Sequence, residues 1–92
     1  MNEDSQNWEV LLSKQPQKII RRLPKPMRER IAEAIDGLAK DQHPTNSKQL
    51  IGFPDLYRLR VGDWRIIYTL KNEKLIVLVI RIAPRGDAYK GL

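Results

Sequence analysis

Apolar side chains recur along this chain with two periods, and the change falls near its middle. In the first half the spacing is three and four. Met27, Ile31, Ala34, Ile35 and Leu38 make one face of a helix, and Arg28, Glu29, Glu33, Asp36 and Lys40 lie off it. In the second half the pattern alternates. Tyr57, Leu59 and Val61 share one face of a strand, Arg58 and Arg60 the other. Trp64, Ile66, Tyr68 and Leu70 then stand against Arg65, Ile67 and Thr69. Gly62-Asp63 between these runs is a hairpin turn, and Lys71-Asn72-Glu73-Lys74 a polar one. Leu75 to Ile82 is nearly all Leu, Ile and Val, the pattern of a central strand buried on both faces.

The remaining segments complete an α+β architecture. Trp8 to Leu12 is a short strand. Ser13 offers a hydroxyl cap for a helix from about Lys14 to Leu23, whose buried stripe is Ile19, Ile20 and Leu23. Pro16 falls in its first turn, where an amide lacks an intrahelical partner anyway. Pro24-Lys25-Pro26 ends this helix and begins the next. Asp41-Gln42-His43-Pro44 terminates the second helix, and Pro44 to Asp55 reads as a loop. The expected fold is therefore an N-terminal strand and a helical hairpin packed on one face of a small antiparallel β-sheet. It forms a single domain over residues 1–92, with the hairpin at about 14–42, the sheet at about 55–83 and an irregular tail at 84–92. Trp64, Tyr57 and Tyr68 belong to the core, and the other face of the sheet is left free.

Composition removes several function classes. With no Cys there are no disulfides, thiolate nucleophiles or Cys-based zinc sites. One His, His43, cannot build a histidine metal cluster, and its Gln-His-Pro setting beyond a helix suits a surface role better than catalysis. No apolar run approaches the ~20 residues of a membrane span. The opening Met1-Asn2-Glu3-Asp4-Ser5 is polar and acidic, unlike a signal peptide, so a soluble cytoplasmic protein is expected. Seventeen Lys and Arg against eleven Asp and Glu give a net charge of +6, which favours phosphate backbones and acidic partners. The second half holds five arginines, Arg58, Arg60, Arg65, Arg81 and Arg85. Arg suits planar, two-pronged phosphate contacts.

Arg58 and Arg60 stand on the same surface of one strand, Arg65 sits across the tight turn, and Arg85 and Tyr89 can fold back over the sheet's end. Such a patch suits a phosphodiester. Guanidinium groups stabilise the extra negative charge of a pentacoordinate transition state, and Tyr stacks on a base or bonds a ribose hydroxyl. Asp55, Asp63 and Asp87 are scattered among turns, so no metal and no cofactor is expected. The reaction such a site supports is metal-independent RNA cleavage through the substrate's own 2′-hydroxyl. On pattern alone, nucleic-acid binding stands ahead of a merely solvated sheet surface, and catalysis behind both.

The stretch from Leu50 to Tyr68 fits L-x-G-x-x-x-x-Y-R-x-R-x-G-x-x-R-x-x-Y. Lys74-Leu75-Ile76-Val77-Leu78-Val79-Ile80 follows, then Arg85-Gly86-Asp87-Ala88-Tyr89. This series resembles the RelE branch of the RelE/ParE toxin superfamily, and with the preceding hairpin the resemblance covers nearly the whole chain. It implies a type II toxin that enters the ribosomal A site and cleaves mRNA by 2′-hydroxyl attack, inhibiting translation. The implied products are a 2′,3′-cyclic phosphate and a 5′-hydroxyl, and the implied partners are a cognate antitoxin, the ribosome and mRNA.

Residue by residue, the resemblance makes Arg58, Arg60, Arg65, Arg85 and Tyr89 catalytic. Arg65 matches the arginine that stabilises the scissile phosphate, and Tyr89 the late tyrosine that stacks on a base. Arg58 and Arg60 stand where well-known members carry Lys. Arg stays protonated at ordinary pH and is a poor general acid or base, so either these two serve pure electrostatics or a ribosomal group or Tyr89 moves the proton. Lys48 and Arg81 are further RNA-binding candidates. Arg21 and Arg22, with Lys25 and Arg28, form a second basic cluster that either grips ribosomal RNA or is a solvated helix surface. Two alternatives remain at this point: a ParE-like toxin that poisons gyrase, and a non-catalytic RNA-binding homologue.

Overall fold

The two hydrophobic periods become two layers. A computed structural model describes residues 7–92, so the acidic opening Met1 to Ser5 lies outside the described residues. The elements are β1 (Glu9–Leu12), α1 (Lys14–Arg22), α2 (Lys25–Gly37), β2 (Ser47–Leu50), β3 (Phe53–Val61), β4 (Trp64–Lys71) and β5 (Ile76–Pro84). A short 3-10 turn, Asp87–Tyr89, follows. Among the described residues no helix is long and apolar enough to cross a membrane.

One sheet runs in the order β1-β5-β4-β3-β2. The β2 to β5 meander is antiparallel, but β1 lies parallel to β5, so the sheet is mixed rather than antiparallel. The helical hairpin separates β1 from the meander, so no tight turn dictates its direction. The segment Pro44 to Asp55 is not a loop: it holds β2 and the start of β3, joined by a turn with Gly52 at φ 85°. Ser47-Lys48-Gln49-Leu50 has a single apolar residue because it is an edge strand, and its hydrophobic alternation is correspondingly faint.

The helices cover one face. Leu23, Ile31, Ile35 and Leu38 meet Leu59, Val61, Ile66, Tyr68, Val77, Val79 and Ile82, with Trp64 and Tyr57 packed against them. The β5 strand is not buried on both faces. Val77, Val79 and Ile82 are buried, whereas Leu78 and Ile80 are only half-buried, because nothing as thick as the helix layer covers the opposite side.

Ser13 does not cap α1 through its hydroxyl. Its backbone is extended, and its Oγ donates instead to the Val79 carbonyl at 2.9 Å, prolonging the β1–β5 pairing. Gln15 continues it: Nε2 donates to the Ile82 carbonyl at 2.8 Å and Oε1 accepts the Ile82 N–H at 2.9 Å. A side-chain amide thus stands in for the next strand residue. Gln15→Ala is expected to lower stability by about 1–3 kcal/mol, read as a lower urea midpoint with unchanged slope, since it leaves both Ile82 groups unpaired.

Tyr68 ties the loop before β2 to the core. Its OH donates to the Gln42 carbonyl at 2.8 Å, and its ring stacks on Tyr57 at 5.5 Å. Burial raises the phenol's pKa above the usual tyrosine value; the Ser47 side chain opposes that shift and Tyr57 and Asp41 add to it. The exposed His43 lies edge-on to Tyr57 at 5.2 Å, on this helix-side stack.

Candidate nucleic-acid interface

Strand register brings the basic side chains together. Lys48 pairs with Arg58, Arg58 with Ile67, and Ile67 with Arg81, one row across β2 to β5. In the next row Arg60 pairs with Arg65 and Arg65 with Ala83. Residues directly opposite in a ladder share a face. Lys48, Arg58, Arg60, Arg65 and Arg81 therefore all stand on the face away from the helices. Asn46 extends the second row: its Nδ2 donates to the Arg60 carbonyl at 2.7 Å, and its carbonyl accepts the Arg60 N–H at 3.1 Å. Thr45, Asn46, Lys48, Arg58 and Arg60 line a cleft of about 340 Å³.

That face is not wholly free. Ile67, Ala83 and Ala88 form a second small core with Leu50, Leu56 and Ile80 around it. After β5 the chain turns back at Gly86, whose φ of 91° suits only a residue without a side chain, and Ala88 caps the sheet. Ile67, an apolar residue in the outward row of β4, is the sequence signal of this cover.

Arg65 is consequently just 6% exposed. Its Nη1 donates to the Gly62 and Trp64 carbonyls, each at 3.0 Å. The guanidinium is thereby held at the β3–β4 turn with its remaining N–H groups uncommitted to these carbonyls. Arg85 reaches the same turn through its backbone N–H, which donates to the Asp63 carbonyl at 2.8 Å, while its side chain is exposed. Tyr89 is 38% exposed beside the buried Ala88. Arg81 holds the tail through an Nη2 bond to the Asp87 carbonyl at 3.2 Å.

The electrostatics are one-sided. Among the described residues the one ion pair is Lys90–Asp87 at 3.0 Å, so no carboxylate neutralises the sheet-face arginines. The Nε groups of Arg58 and Arg81 are buried without a hydrogen-bond partner. The two arginines flank Ile67 in the ladder, so an anion lying across the row would meet both side chains. No group of three or more His, Asp or Glu side chains is placed to hold a metal among the described residues.

Arg21 and Arg22 stand exposed in the last turn of α1, and Lys25 opens α2; these lie in the helix layer and do not join the sheet-face set. Trp64 packs into the helix-side core. Thr45 and Asn46, read from the sequence as polar loop residues, line the cleft only because β2 pairs with β3.

Fold and charge together define a class: small basic α+β proteins with a helical hairpin on one sheet face and a cationic row on the other. The chain belongs to the family described as the ParE toxin of type II toxin–antitoxin systems, parDE, whose model matches residues 8–89. It is similar to a chain of the archaeal RelE–RelB complex from Pyrococcus horikoshii OT3, at 32% identity and a TM-score of 0.78, covering 89% of this chain and 99% of that one. A relative carrying the name toxin RelE1 from Methanocaldococcus jannaschii is 28% identical over 86 residues, 90% of this chain and 96% of its own length. The isolated E. coli RelE toxin shares the fold, with a TM-score of 0.74 at 22% identity over 86% of this chain and 85% of that one. The protein is thus a RelE-like type II toxin.

Proposed function

We propose that this toxin is a metal-independent endoribonuclease that cleaves mRNA in the ribosomal A site and so inhibits translation. The observation that carries it is the row of cations on one sheet face that no carboxylate neutralises. In the step envisaged, the substrate's 2′-oxygen attacks the adjacent phosphorus and the bond to the 5′-oxygen breaks. The 2′-hydroxyl proton leaves to a ribosomal group or to Tyr89 as its phenolate, and the departing 5′-oxygen takes a proton from water. Arg65, held by two carbonyls, and Arg85 at the same turn stabilise the pentacoordinate phosphorane. Arg58 and Arg60 hold the strand electrostatically, since guanidinium does not exchange protons at ordinary pH. Tyr89 stacks on a base. Lys48 and Arg81 bind the flanking backbone. Arg21 and Arg22, exposed in the last turn of α1, meet ribosomal RNA from the helix side.

A cognate antitoxin restrains the toxin in the cytoplasm; the archaeal relative was solved in complex with RelB. The test is primer extension on a defined mRNA with purified protein. Cuts inside the A-site codon, present only when programmed ribosomes are added, are the expected result. No cuts in either condition would overturn the reading. The ParE description of the family favours a second reading, inhibition of DNA gyrase. A supercoiling assay on the same protein decides it: unchanged supercoiling is expected.

A further inference from the structure

We propose that Arg30, on α2, is a further RNA-backbone contact that carries the cationic surface from the sheet face over the β3–β4 turn onto the helix layer. The inference rests on the RNA reading above and deepens it. Arg30 is exposed, and lies four residues before Ala34 and three after Met27, at the border of α2's apolar stripe. From there its side chain reaches the turn. Both Nη atoms lie 3.6 Å, and Cζ 4.0 Å, from where a Cβ on Gly62 would stand. Both nitrogens are equally near and Cζ is farther, so the guanidinium points its fork end-on at the turn. A Cβ there would stand at ordinary van der Waals distance from these atoms, so Gly62 is favoured by its φ of 58° rather than by the approach of Arg30.

Two other arginines bond the same two-residue turn. Arg65 Nη1 donates to the Gly62 carbonyl, and the Arg85 N–H donates to the Asp63 carbonyl. Arg60 stands opposite Arg65 in the ladder. Arginines from α2, β4 and the tail thus meet at one turn, with Arg60 of β3 next to it in the ladder, and its single carboxylate, Asp63, is within ion-pair distance of none of them. Cationic side chains gathered at one end of the sheet, without a carboxylate among them, attract a polyanion passing over the turn. An RNA strand on the sheet face would leave it at this end, where Arg30 meets its next phosphate.

The test is binding of a fluorescent oligouridylate across a range of salt, for the unsubstituted protein and for Arg30→Ala, Arg30→Lys and Lys74→Ala. Lys74 lies in the turn at the other end of β4, about 25 Å away at ~3.3 Å per strand residue, beyond the Debye length of ~10 Å at 0.1 M salt. Arg30→Ala is expected to weaken binding about 3–10-fold at low salt and to flatten the slope of log affinity against log salt by about 0.7, one phosphate contact to a single strand. Arg30→Lys keeps most of the slope, and Lys74→Ala leaves it unchanged. An unchanged slope for Arg30→Ala, or a lowered melting temperature without a change in slope, overturns the inference. So does absence of binding by the unsubstituted protein, and the primer-extension result then stands or falls separately.

Discussion

Replacing Arg65 with alanine is expected to reduce cleavage of ribosome-bound mRNA by about 10²–10³-fold, the cost of losing one preorganised donor to a transition-state oxyanion. The magnitude comes from how the side chain is held. Its guanidinium is almost fully buried and spends Nη1 on two carbonyls of the β3–β4 turn. It therefore reorganises little when charge develops on phosphorus. Arg65→Lys is expected to recover only a small part, since an ammonium cannot hold two turn carbonyls and present a planar fork together. The same carbonyls lose a donor in Arg65→Ala, so some stability goes too, about 1–3 kcal/mol. Single-turnover cleavage at saturating protein, beside a urea titration, separates the two effects. A loss of activity no larger than the unfolded fraction would assign Arg65 a purely structural role.

Ile66→Ala should produce the largest loss of stability, about 2–5 kcal/mol. Ile66 is fully buried in the central strand, and its ladder partners on either side, Leu59 and Ile82, are buried in the same core. Strand backbones on both sides limit collapse into the cavity. Against the ~5–15 kcal/mol typical of a domain, that is a large share. A lower urea midpoint with unchanged slope is the expected signature. A loss below that range would mean that the helices settle into the space.

The candidate site was legible to different depths at different residues. Arg58 and Arg60 were assigned to one strand surface, and Arg65 to the neighbouring strand across Gly62-Asp63, from alternation alone; the ladder pairs Arg60 with Arg65. What alternation did not convey is that Arg65 is buried. Burial there depends on the tail returning over Ile67 and Ala83, a contact between segments some twenty residues apart. Lys48 joined the row only through β2, whose polar sequence hides its pairing. Arg30 gave no local signal, because the turn it approaches is about thirty residues further along the chain.

By itself, then, the sequence determined the helical hairpin, the β3–β4 hairpin, the apolar side of each and the basic side of the sheet. These follow from periodicity, turn residues and charge, which act over a few neighbouring positions. The tertiary structure alone decided that β1 lies parallel beside β5, that Gln15 extends that edge, and that a second small core roofs the arginine face. Those features depend on which distant segments meet, and hydrophobic burial, being non-directional, leaves that choice to the packing of the whole chain.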